Sequence, residues 1–240
     1  MSDRDTMTRK RSKPRKVLVI DIGGSHVKCL VTGQRRHRKF DSGAKLSPQE
    51  MVDGVLKLTK GWKFDVISMG YPGVVIDNAP VSEPHNLGTG WVGFDYQSAF
   101  GYPVRIINDA AMQAFGAYDG GKMLFLGLGT GLGSALIVNG IVEAMELGHL
   151  PCGHGHTYEH YLGDKGRKRM GNKKWRRKVE EVVEGFRRAL LPEYIVLGGG
   201  NAEKLKNLAP LTRRGTNADA FKGGFRLWER NDPMLERFEA

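Results

Sequence analysis

Apolar runs and glycine turns alternate along the chain, and one arrangement of them occurs twice. VLVIDIGGSHVKCLVTG, from Val17, reads as an apolar strand, a glycine turn and a second strand. MLFLGLGTGLGSALIVNG, from Met123, repeats that order about a hundred residues later, which predicts two similar lobes. SPQEMVDGVLKLTK supplies Ser47 as N-cap, Pro48 at the first helical position and Glu50 for a capping box, with Met51, Val55 and Leu58 on one face. FDVISMGYPGVV predicts a buried strand ending in a Tyr-Pro-Gly turn, and WRRKVEEVVEGFRRAL predicts a helix with Val179, Val182, Val183 and Phe186 as its apolar stripe. EYIVLGGG predicts a strand and a triple-glycine turn ahead of a helix starting near Asn201. Strands alternating with helices predict an α/β fold, with lobes over 17–120 and 121–240 behind a disordered basic tail over 1–16.

The turns are where chemistry is expected. Gly23-Gly24-Ser25 and the segment from Gly127 to Gly133 each bring successive backbone N–H groups toward one point. That geometry closes an ordinary hairpin or holds a phosphate; its recurrence in both halves, facing a shared cleft, favours phosphate. Gly198-Gly199-Gly200 at a helix start predicts a further anion or nucleotide site. VRIINDAAMQAFGAY reads as a strand running into a helix, which puts Asn108 and Asp109 at the strand's carboxyl end, where α/β sheets keep their ligand crevices. Asp109 would there serve as a helix N-cap, as a carboxylate facing a ligand, or as both.

Composition narrows the setting. At 240 residues the chain can bury a sizeable core without staples, and Cys29 and Cys152 make no disulfide framework. No window resembles a signal peptide and no apolar run approaches a membrane span, so a cytoplasmic protein with no membrane partner is expected. The formal net charge of +11 is unevenly spread. MSDRDTMTRKRSKPRK holds seven Lys/Arg against two Asp, and KGRKRMGNKKWRRK, from Lys165 to Lys178, holds nine and no acid. Such a run is either a solvated helix face or a surface for an anionic partner, for which nucleic acid, nucleotide and a phosphate polymer all qualify.

Taken in order from about Val17 to Trp228, DIGGSHVK, MGYPGVV, NLGTGW, INDAAMQAFGAY, LGLGTGLGSALI, ELGH and IVLGGGNAEKL resemble the ROK family of sugar kinases and sugar-responsive repressors. The resemblance implies the two-lobed actin-like, ribonuclease-H-like ATPase fold with a duplicated βββαβα core, in agreement with the repeated hairpin. It implies that Asp109 accepts the proton of an attacking sugar hydroxyl, while Asn108, Glu146, His149, Glu159 and Asn86 hold other hydroxyls. Phosphate or nucleotide would meet Gly23, Gly24, Ser25, Lys28, Gly129, Thr130, Gly131, Gly199 and Gly200, and Asp21 would hold Mg2+ through a bound water. The activity implied is that of a glucokinase using polyphosphate, ATP or both, and a homodimer is usual in the family. A kinase of another hexose such as N-acetylmannosamine, and a catalytically silent sugar sensor, stand as alternatives.

The departures matter too. Many members carry a Cys-x-Cys-Gly-x-x-Gly-Cys zinc segment after the ELGH histidine. Here only Cys152 stands among His154, His156 and His160, at a spacing of no familiar structural site, so zinc is not expected. The first turn reads Gly-Gly-Ser-His-Val-Lys, which leaves His26 without an explanation. No helix-turn-helix precedes Val17, which argues against a repressor, and nucleic acid is not an expected partner, although the tail and the Lys165 to Lys178 run keep that reading open.

Overall fold

The computed structural model describes residues 15–229. Its first half runs β1 (Val17–Ile22), β2 (His26–Val31), β3 (Arg38–Asp41), α1 (Pro48–Leu58), β4 (Val66–Tyr71), β5 (Val75–Ile76), β6 (Ala79–Pro80), α2 (Tyr96–Phe100), β7 (Val104–Asn108) and α3 (Asp109–Ala117). The second runs β8 (Lys122–Leu128), β9 (Leu132–Val138), β10 (Ile141–Met145), α4 (Tyr158–Leu162), α5 (Asp164–Leu190), β11 (Tyr194–Gly198), β12 (Thr212–Arg214) and α6 (Asp219–Arg226). The repeated hairpins open two sheets of the same topology, β3-β2-β1-β4-β7 and β10-β9-β8-β11-β12. In each, three antiparallel strands are extended by two parallel ones: β1 pairs with β4 and β4 with β7, as β8 pairs with β11 and β11 with β12. The fold is mixed α/β, and the duplication legible in the sequence is this repeated sheet.

Local chemistry accounts for the predicted helices. Ser47 Oγ accepts from Glu50 N while Glu50 Oε2 accepts from Ser47 N at 2.8 Å, closing the capping box of α1. Val179, Val182, Val183 and Phe186 are buried along α5, joined by Trp175. Gly171 interrupts that helix with φ of 75° and ψ of 155°, a kink a side chain would strain. The helix expected near Asn201 is replaced by a single 3₁₀ turn, Ala202–Lys204, so no extended helix dipole points back at Gly198-Gly199-Gly200. Of the basic tail, residues 1–14 lie outside the described ones; Lys16 N donates to Asp65 Oδ2 at 2.8 Å.

Two helices fill the space between the sheets. The alanines of α3 let it lie against β9, and α6 packs on α3 and returns to β1 and β4. A Cβ at Gly116 would strike the Asp219 carbonyl, and one at Gly223 would strike the Met112 carbonyl, so these helices meet backbone to backbone. The end of α6 is held to the first sheet: Ser68 Oγ donates to Gly224 O at 2.5 Å, Trp228 Nε1 donates to Ser68 Oγ at 3.0 Å, and Arg105 donates to Leu227 O with its guanidinium 4.2 Å from the Trp228 ring. Among the described residues no helix is long and apolar enough to cross a membrane.

Candidate active site

The carboxyl ends of β1, β4 and β7 face those of β8 and β11 across a cleft of about 560 Å³. Asn86, Asn108, Asp109, Glu146, His149 and Glu159 line it together with Gly23, Gly24, Gly129, Thr130, Gly131 and Gly199. Residues separated by more than a hundred positions are thus brought into one cavity by the two Gly hairpins and the start of α3. Asp21, Ser25, Lys28 and Gly200 do not line it. Asp21 is 7% exposed and its Oδ2 receives Lys28 Nζ at 3.1 Å, which commits Lys28 to the end of β1. His26, left without explanation by the sequence, pairs with Asp41 at 3.3 Å across the strand register.

Asn108, rather than Asp109, caps α3: its Oδ1 accepts from Ala111 N at 3.0 Å, and its Nδ2 donates to Gly73 O at 3.0 Å. One amide N–H of Asn108 is left for a ligand. Asp109 takes the first helical position, where Oδ1 accepts from Ala110 N at 2.7 Å. Burial, and next the negative charge of Asp21, push its carboxyl up to about 7, against the pull of the Ala110 amide. Glu146 adds a smaller repulsion. An acid tuned close to neutrality in a cleft can accept a proton at physiological pH.

The two glycine hairpins differ in how they are braced. In the first, Gly23 N closes the turn on His26 O at 3.0 Å and Ser42 Oγ donates to Gly23 O, while the Gly24 and Ser25 amides have no partner among the described residues. Asn86 packs against Gly24 at a distance that a Cβ there would crowd. In the second, Asn201 Nδ2 and Asp164 N donate to Gly129 O, and Glu159 Oε2 accepts from Leu132 N at 3.1 Å. The amides of Thr130 and Gly131 remain without partners among the described residues. Gly199, at φ of 77°, lies so close to Leu128 O that any side chain would collide. Both hairpins present free N–H groups to the cleft, a chemistry suited to anionic oxygen.

The basic run begins at the cleft. Asp164 opens α5 against the second hairpin, Lys165 comes next on the cleft lining, and among the described residues no other Lys or Arg lines it. The run is partly neutralised from outside its own span. Asp164 holds Arg167 and Lys168 at 2.8 and 2.7 Å, which brings its carboxyl down to about 2. Lys178 pairs with Glu181, Arg169 donates to His160 O, and Arg176 Nε donates to Lys204 O at 2.6 Å. Lys165, Lys173, Lys174 and Arg177 have no acidic partner among the described residues. Beside this helix the His156 and His160 rings stack at 3.8 Å, and among the described residues no group of three metal-ligating side chains forms.

The site also holds residues that no sequence motif marked. Glu83 lines the cleft and accepts from the backbone N–H groups of Trp91 and Val92, fixing the NLGTGW loop. His85 meets His149 edge to face at 6.1 Å. Gln113 stands one helical turn after Asp109, a spacing the sequence displays once α3 is known to start there.

Known proteins share this fold. The solved structure of an inorganic polyphosphate/ATP-glucomannokinase from Arthrobacter sp. superposes with a TM-score of 0.76 at 22% identity, over 88% of this chain and 97% of that one. A ROK family glucokinase from Streptomyces griseus, solved with glucose and AMPPNP, gives 0.73 at 15% identity over 89% and 99%. In sequence the chain is 29% identical over 219 residues, 82% of each chain, to a polyphosphate glucokinase from Mycobacterium tuberculosis. The family model for the ROK family matches residues 17–168, which take in both glycine hairpins, the Asn-Asp-Ala turn and the ELGH motif. The fold is that of the actin-like sugar kinases, and the chain belongs to the ROK family.

Proposed function

We propose that this chain transfers a phosphoryl group from polyphosphate, and from ATP where it is the donor at hand, to the 6-hydroxyl of glucose. The observation that carries the reading is Asp109: a carboxyl held near neutrality at the floor of a cleft, between two hairpins with unpartnered backbone N–H groups. The sugar hydroxyl gives its proton to Asp109 and its oxygen attacks the terminal phosphorus, as the bond to the shortened phosphate chain breaks. The free Asn108 N–H, Asn86, Glu146 and His149 engage the other hydroxyls, which donate and accept in adjacent pairs. Glu159 divides its role, since one oxygen already braces the second hairpin. Oxygen donors of this kind suit magnesium: the donor's phosphates would hold it, with Asp21, off the cleft lining and paired with Lys28, reaching it through a bound water, and it would supply neutralisation of phosphate charge.

Polyphosphate draws further support from Lys165 at the cleft and from Lys173, Lys174 and Arg177 farther along α5, which have no acidic partner among the described residues and could meet a chain of regularly spaced anions. The relatives named polyphosphate glucokinase point the same way. Such chemistry suits the cytoplasm, where glucose phosphate is consumed. The deciding experiment crosses glucose, mannose, N-acetylglucosamine and N-acetylmannosamine with ATP and polyphosphate and scores the phosphosugar formed. Glucose with polyphosphate should give the highest kcat/KM, and no phosphosugar from any pair would overturn the reading.

A further inference from the structure

Gln113 is a cleft residue to which the proposed transfer has so far given no part. It lies four residues after Asp109 on α3, so the two side chains leave the same face of the helix about 6 Å apart along its axis. Its amide reaches across to the end of β11 in the other sheet. A Cβ at Gly198 would lie 3.5 Å from Gln113 Oε1, at van der Waals contact, while the Phe125 ring, which that Cβ would strike, keeps the position a glycine. Gln113 thus spans from the carboxyl that takes the sugar's proton to the strand whose next residue, Gly199, lines the phosphate side. Its amide makes no hydrogen bond among the described residues, so two N–H donors and a carbonyl face the cleft unspent.

We propose that the Gln113 amide donates to an equatorial oxygen of the phosphoryl group while it passes between donor and sugar. This rests on the kinase reading of the cleft. The transferred group spreads negative charge over three oxygens and gains most from donors already in place. Backbone N–H groups approach it from the two hairpins and Lys165 from α5; Gln113 supplies a donor from the α3 side, next to the base. A neutral amide suits that position. A cation one turn from Asp109 would pair with it and pull its carboxyl down, whereas the amide adds donors and leaves the base near neutrality.

The test compares Gln113→Met, which keeps length and apolar stem but loses the donors, with Gln113→Glu and with Asp109→Asn. Gln113→Met should lower kcat about ten-fold or more with KM for glucose and thermal stability nearly unchanged, and with the acid limb of the pH profile where it was. Gln113→Glu should lose more and move that limb to higher pH, since a second carboxylate repels the charged base. A packing role would instead lower stability in Gln113→Met and spare kcat. Wild-type turnover with kcat of Gln113→Met within two-fold overturns the assignment while leaving the kinase reading intact. A wild-type protein that phosphorylates no sugar overturns both.

Discussion

Asn108 Oδ1 receives the backbone N–H of Ala111 at 3.0 Å, so the helix that Asp109 begins is capped by its neighbour. Helix capping and the proposed proton transfer therefore fall to adjacent residues. Asp109→Asn should lower turnover by ~10²-fold or more, roughly 3 kcal/mol of barrier, with sugar affinity nearly unchanged and no loss of melting temperature. Asn108→Ala should cost about 1 kcal/mol of stability as a lost cap and weaken sugar binding too. Thermal melts beside sugar titrations separate the two, and near-normal turnover in Asp109→Asn would remove it as the base.

The position of the Asp109 carboxyl sets a pH dependence with a definite sign. With its acid form persisting up to about 7, kcat/KM should rise with pH through neutrality and level off above it. Asp21→Asn removes a negative neighbour, so the limb of whatever activity survives should move to lower pH. Stability takes the opposite course. The folded state keeps a proton that the unfolded chain releases near pH ~4, so this group's contribution is full in acid and is lost as pH rises to about 7. Denaturant melts at several pH values should find that slope in the wild type and not in Asp109→Asn.

Glu146 and His149 stand 3.7 Å apart with about half of each side chain exposed, so few folding contacts depend on them. Replacing either with Ala should raise the dissociation constant for glucose well before it alters the melting temperature. Calorimetric titration of both variants checks this, and unchanged affinity in both would take them out of the pocket.

Along α5, Lys173, Lys174 and Arg177 are the cations to change, because Arg176 is tied to the Lys204 carbonyl and serves the fold. Replacing those three by Gln should raise KM for long polyphosphate several-fold, flatten its salt dependence and leave KM for glucose alone. Equal KM values for polyphosphate at low and high salt in the wild type would defeat the idea of an ionic track.

Much of the fold is legible in the chain because its marks are local. The capping box of α1, the stripe of α5 and the two glycine hairpins each arise from residues close in sequence. The Asn-Asp-Ala turn is legible in place though not in detail, since Asn and Asp are both good N-caps and the choice between them is made by where the last strand residue falls. The helix expected near Asn201 is missing because glycines announce a turn without fixing the element after it. Gln113 carries no mark in the sequence because its meaning lies in the approach of β11, a contact between lobes that no local pattern encodes. The same holds for α6, whose glycines matter only against α3.

That last contact fixes more than packing. Gly116 and Gly223 let α3 and α6 touch main chain to main chain, and α6 is in turn fastened to β1 and β4. The depth at which α3 carries Asp109 is therefore gauged by atoms that have no rotamers to change, as a shaft is seated on a shoulder. A single methyl at either glycine would lift that seat. Gly223→Ala should for this reason lower stability by about 1–3 kcal/mol and also dull turnover, though it does not line the cleft. Tolerance to substitution in this enzyme is then lowest along a bare seam, where the chain presents no chemistry at all.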